Sequence, residues 1–132
     1  MQNYGPQLTL AGVVALLVLL PNTAPGQAPN ADPSVQKIFD KLLNAIKTKD
    51  RDAFVADATD AVKKETTPEV MEVLEKHVGS RQKGGYEATY LCQLKKGAVQ
   101  VYLWKLTFKD GGDDLIGLMA LKDGKVGSLH FQ

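Results

Sequence analysis

The sequence predicts an α+β fold in which three N-terminal helices pack on one face of a curved four-stranded antiparallel sheet. Three observations lead there. Turn signals at Lys95-Lys96-Gly97, Lys109-Asp110-Gly111-Gly112 and Lys122-Asp123-Gly124-Lys125 cut the stretch from Tyr86 to Gln132 into four runs. Asp-Gly between apolar runs is a strong hairpin signal, because glycine accepts the positive φ of primed turns. Within the second run Tyr102, Trp104, Leu106 and Phe108 alternate with Leu103, Lys105 and Thr107, the period of a half-buried strand. Ahead of the strands, apolar residues recur at helical spacing. Helices followed by strands is the segregated α+β order.

Taken in order, the chain opens with an uncharged segment. All 16 Lys and Arg and all 15 Asp and Glu lie from Asp32 onward. Leu8 to Leu20 is an uninterrupted uncharged run, the length of a signal-peptide core and short of the ~20 residues a spanning helix needs. Small residues follow it, and Ala24-Pro25-Gly26 or Gly26-Gln27-Ala28 offers a cleavage site. The reading is a signal peptide over 1–28, a leader over 29–32 and a domain over 33–132, hence export to the periplasm or the medium. An uncleaved anchor is the alternative, since no Lys or Arg precedes the apolar run. After cleavage no membrane association is expected.

Asp32-Pro33 reads as a helix cap and first helical residue. Val35, Ile38, Phe39, Leu42, Leu43 and Ile46 then form one apolar stripe. Asp50 caps a second helix, Arg51 to about Ala58, that buries Phe54, Val55 and Ala58. Residues 59–66 read either as a loop or as a short extra helical turn. Thr66 or Thr67 caps the third helix, with Pro68 in its first turn, Thr66 and Glu69 at capping-box spacing, and Glu72 and Lys76 as an i,i+4 pair. Gly79 is expected to end it.

In the sheet, Leu115 to Leu121 is apolar except for Gly117, which suits a central strand. Val99, Val101 and Leu103 break the polar alternation on the side of Lys105. That outer face is therefore expected to be covered, by a second copy of the chain.

Composition excludes some functions. A formal net charge of +1 is no nucleic-acid footprint. Cys92 is the only cysteine, so an exported chain carries no internal disulfide; it reads as a buried, inert thiol, a nucleophile needing a partner such as His130. Two histidines without a carboxylate cluster make no metal site, and no cofactor is expected. His77 reads as a partly covered structural histidine.

The element order, the short second helix around Asp50-Arg51-Asp52-Ala53-Phe54, the TTPE start of the third helix and the closing DGKVGSLHF resemble the nuclear transport factor 2-like superfamily over roughly Pro33 to Gln132. The likeness is narrower still to its small exported bacterial members. The resemblance implies a cone-shaped α+β roll, shared with ketosteroid isomerase, scytalone dehydratase and polyketide-cyclase-like proteins, with a pocket between helices and sheet. Isomerase-type members use a pocket carboxylate and a tyrosine or protonated acid; dehydratase-type members use a His and an Asp. No catalytic motif transfers residue by residue.

Candidate residues divide accordingly. Tyr86, Tyr90, Tyr102, Trp104, Phe108 and Met119 line the inner sheet face and are either core or the wall of a pocket for a small apolar ligand. For catalysis Asp114 is the candidate base, since it shares parity with Ile116 and Leu118 and would turn inward with them. Tyr90 or Tyr102 is then the donor. Asp113 and Asp114 otherwise end a hairpin beside Lys109 or Lys125. His130 is expected opposite Leu129 and Phe131, on the outer face. A non-catalytic binding domain is the reading preferred to an isomerase- or cyclase-like enzyme and to a purely structural assembly domain.

Overall fold

The computed structural model describes residues 29–132, so the expected signal segment 1–28 lies outside the described residues. Among the described residues four helices precede four strands. They are α1 (Pro33–Thr48), α2 (Arg51–Val55), α3 (Asp60–Glu65) and α4 (Pro68–Leu74), the last prolonged by a π-helical turn (Glu75–Gly79) and a final turn (Ser80–Gln82). The strands are β1 (Tyr86–Lys96), β2 (Val99–Phe108), β3 (Leu115–Lys122) and β4 (Lys125–Phe131), and they form one antiparallel meander in chain order.

The helix starts follow from capping chemistry. Asp32 accepts from the Ser34 amide at 2.9 Å, Asp50 from the Ala53 amide at 3.0 Å, and Thr59 from the Val62 amide at 3.4 Å. Each satisfies a donor that has no partner inside its helix. The stretch 59–66 is thus helical, and the helical layer has four members rather than three. α2 ends at Val55. Ala58, expected inside that helix, instead bridges to Val126, with the Thr59 amide donating to Val126 O at 3.0 Å and the Val126 amide to Asp57 O at 2.7 Å. These bonds stitch the helical layer to the β4 edge.

Thr67 caps α4. Thr66 is buried and its hydroxyl donates to Val62 O at 2.7 Å, so the Thr66–Glu69 capping box does not form. Glu72 and Lys76 are not paired either: the π turn shifts their spacing, and Lys83 pairs with Glu75 at 2.8 Å instead. Gly79 does not end the helix. A Cβ there would stand 2.9 Å from Ile46 O and 3.2 Å from Lys47 Cα. The residue is glycine because α1 and the π turn touch backbone to backbone.

The core lies between α1 and the inner sheet face. Val35, Phe39, Leu42, Leu43 and Ile46 meet Tyr102, Trp104, Leu106, Phe108 and Met119, all buried. The β3–β4 turn has positive φ at both Asp123 and Gly124, as a primed turn requires.

Two bulges decide what each face carries. In β1 the register shifts between Tyr90 and Cys92, leaving Leu91 as the extra residue. Tyr86, Ala88 and Tyr90 precede it on the inner face; after it Cys92 pairs with Leu103 and Leu94 with Val101, on the outer face. Cys92 is therefore exposed and not a buried thiol. In β4 the extra residue is Gly127, which lets Val126 and Leu129 both face the core side. One inserted residue flips every later side chain, because the strand period is two.

Candidate functional site

The aromatic inner face is a packed interior. Trp104 has no exposed surface, and the Phe39 ring lies on it with centroids 3.8 Å apart and planes 3° from parallel. Tyr90 meets the same indole edge-on at 5.5 Å. The indole Nε1 donates to Gln36 Oε1 at 3.0 Å, and Gln36 Nε2 donates to Asp40 Oδ1 at 2.9 Å. Trp104 thus has both faces of its chemistry satisfied from α1, the ring by Phe39 and the N–H by Gln36.

Gly117 makes this possible. It pairs with Trp104 across the sheet, and a Cβ on it would stand 3.1 Å from Phe39 Cζ. The missing side chain is the volume that Phe39 occupies. The residues expected to wall a ligand pocket are accordingly core: Trp104 and Met119 are wholly buried, Tyr102 and Phe108 nearly so. Tyr86 and Tyr90 are half-buried at the rim. Burial, with smaller effects from Cys92 and Tyr102 nearby, pushes the Tyr90 phenol above its ordinary range.

The proposed carboxylate–phenol set does not converge. On β3 it is Leu115, Gly117, Met119 and Leu121 that pair with the inner residues of β2, while Ile116 and Leu118 face out. Parity with Ile116 therefore does not turn Asp114 inward, and it is exposed in the loop before β3. Tyr102 pairs with Met119, five residues along from Asp114, roughly 16 Å at strand rise. That is beyond the ~3 Å reach of a catalytic hydrogen bond. His130 pairs with Leu118 and is exposed, as expected. His77 is exposed rather than covered. Among the described residues no group of three His, Cys, Asp or Glu could hold a metal ion.

Asp113 and Asp114 do not pair with Lys109 or Lys125. The loop is held by Arg81, a residue the sequence does not mark. Its Nε meets Asp110 Oδ2 at 2.7 Å, its Nη2 donates to Asp113 O at 2.7 Å, and its guanidinium lies 4.0 Å over the Phe108 ring. The Arg81 contact, then the Gly112 amide, hold the Asp110 carboxyl down at about 2.

Two apolar surfaces stand open among the described residues. The first is the outer sheet face. Cys92, Leu103, Leu118 and His130 form one row across the four strands; Leu94, Val101, Ala120 and Ser128 form the next. Lys96, Lys122 and Lys125 lie along one end of this field and Lys105 toward the other. An apolar centre with a charged rim is the anatomy of an interface. The second is a trough of about 380 Å³ between α2, α3, α4 and β4, floored by Phe54, Val62, Val126 and Leu129. It was not legible in sequence, since its residues come from four elements. The one local hint is α4, where Val70 and Val73 are 41% and 56% exposed.

No family model matches the chain, and no curated protein matches it in sequence. The solved structures similar to it include an NTF2-like protein of unknown function from Cytophaga hutchinsonii, at 12% identity over 83% of this chain and 93% of that one, with a TM-score of 0.41. A cystatin-fold protein from Novosphingobium aromaticivorans is 13% identical over 73% and 95%, at 0.40. A Sinorhizobium meliloti protein provisionally named a polyketide cyclase is 19% identical over 76% and 100%, at 0.42. At these identities and TM-scores neither a family nor an activity follows from the likeness.

Proposed function

We propose that this chain is an exported, non-catalytic binding domain that works through its surfaces, with a second copy covering the outer sheet face. The observation that carries this reading is the Phe39–Trp104 stack. With Phe39 seated in the hollow of the sheet, a small apolar ligand has no room between Trp104 and α1, and the apolar area free to bind anything lies outside. The outer field of Leu94, Val101, Leu103, Leu118 and Ala120, rimmed by lysines, supports the pairing part.

Light scattering on the protein and on its Leu103→Lys variant tests the reading. A dimer that becomes a monomer with unchanged circular dichroism is the expected result, because an unpaired charge would be buried at the centre of the interface. A parent protein that stays strictly monomeric at micromolar concentration would remove the pairing. Turnover of an added substrate that survives Leu103→Lys and fails in Tyr90→Phe would instead favour the enzyme reading.

A further inference from the structure

We infer that the trough beside β4 is a docking site for an apolar segment of another protein that carries Lys or Arg at its flank. The site adjoins the outer sheet face along β4, where Ser128 and His130 belong to both surfaces, and it does not require that face to pair. Its shape comes first. The trough shares Val70 and Leu74 with a second apolar surface formed by Glu69, Val70, Val73 and Leu74. The hollow therefore runs out over the outward side of α4 without a closing wall. An open hollow that continues onto a ridge suits a chain segment laid across it, whereas small molecules favour enclosure of most of their surface.

The sequence shows why the surface is apolar on both sides of one helix. Met71 points into the core and is buried, while Val70 and Val73 are among the most exposed large hydrophobic residues described. Their i,i+3 spacing places them side by side on α4. The bulge at Gly127 deepens the floor: that residue lines the trough and contributes no side chain.

Charge selects the partner. The formal charge of the two linings comes from Glu65 and Glu69, with no Lys or Arg on either, although the whole chain carries more Lys and Arg than Asp and Glu. Arg51, on the neighbouring α2, donates to the carbonyls of Thr66 and Lys63, and the exposed Lys63 and Lys64 of α3 lie outside both linings. Thr66 offers little to a polar ligand, since its hydroxyl is spent on Val62 O. The surface thus presents an apolar floor with acid at the rim, complementary to an apolar segment with a basic flank.

The test uses a labelled amphipathic Leu/Lys peptide and a Leu/Glu peptide of equal length, titrated by fluorescence anisotropy against the full chain at low and high salt. The Leu/Lys peptide should bind about tenfold more tightly than its acidic counterpart, with the gap narrowing as salt rises. Val73→Asp should weaken it about tenfold, and Glu65→Lys with Glu69→Lys about fivefold. Val73 is more than half exposed, so circular dichroism should show Val73→Asp folded. Equal binding of the two peptides, or binding untouched by Val73→Asp, overturns the assignment. So does a Val73→Asp protein that changes from dimer to monomer, since the occupant would then be a second copy. Leu103→Lys should leave peptide binding unchanged, which separates this result from any failure of sheet pairing.

Discussion

The two faces of the same sheet have opposite fates. On β2, Leu106 and Leu103 are three residues apart, yet Leu106 is wholly buried and Leu103 is only partly covered. The inner face is consumed in folding, because α1 delivers Phe39 into the space that Gly117 leaves. Among the described residues no helix lies over the outer face, and its apolar rows stay partly open. A strand that reads as apolar on both sides thus does not say which of its faces its own chain covers.

The sharpest way to break that contrast is at Phe39. Phe39→Ala empties the hollow and should cost about 3–5 kcal/mol, read by urea denaturation. If the loss were under ~1 kcal/mol, the hollow would be able to close or hold a ligand, and the inner face would regain a binding role. Next comes the matched pair on one strand. Leu106→Ala should cost about 2–5 kcal/mol. Leu103→Ala should stay near the ±0.5 kcal/mol of a surface change, when both are measured at dilutions that keep the chain monomeric. Similar costs for the two would erase the distinction between the faces.

A smaller effect isolates the indole N–H. Gln36→Leu leaves a buried donor without its acceptor and should cost ~1–3 kcal/mol, with a shift in Trp104 fluorescence as the check. Cys92 then reports on the outer face without any change in stability. An aromatic disulfide reagent should label it in the native, monomeric Leu103→Lys protein, and labelling should slow where copies pair. The least effect belongs to Asp110. Its carboxyl sits at about 2 against an ordinary 3.8, so the folded state favours the charged form. That contribution is complete above pH ~4 and is lost as pH falls toward ~2. Asp110→Asn should remove this acid-limb dependence, and a carboxyl titration by NMR should place the Asp110 midpoint near the lower value.

Much of the fold was legible because its signals are local. The α1 stripe, the caps at Asp32 and Asp50 and the three turns each depend on residues a few positions apart. The site was less so. Trp104, Tyr102 and Met119 were placed on the right face, but whether they wall a pocket or fill a core depended on Phe39, an α1 residue 65 positions before Trp104 in the chain. Cys92 was misassigned because a bulge adds a residue that composition does not announce, and parity counted through it inverts. Gly79 was read as a stop, since a glycine needed for close approach looks the same in sequence as one needed for a turn.

By itself the sequence determined the order and kind of the elements, the uncharged opening segment and the two-sided apolar character of the sheet. Those rest on short-range periodicity, capping and turn chemistry, which act within a few residues. Only the tertiary structure decided that the hollow is full, that Cys92 faces out and that a trough opens beside β4. These follow from packing between distant segments and from single-residue shifts in register, where one side chain's volume or one extra residue reverses what a surface offers.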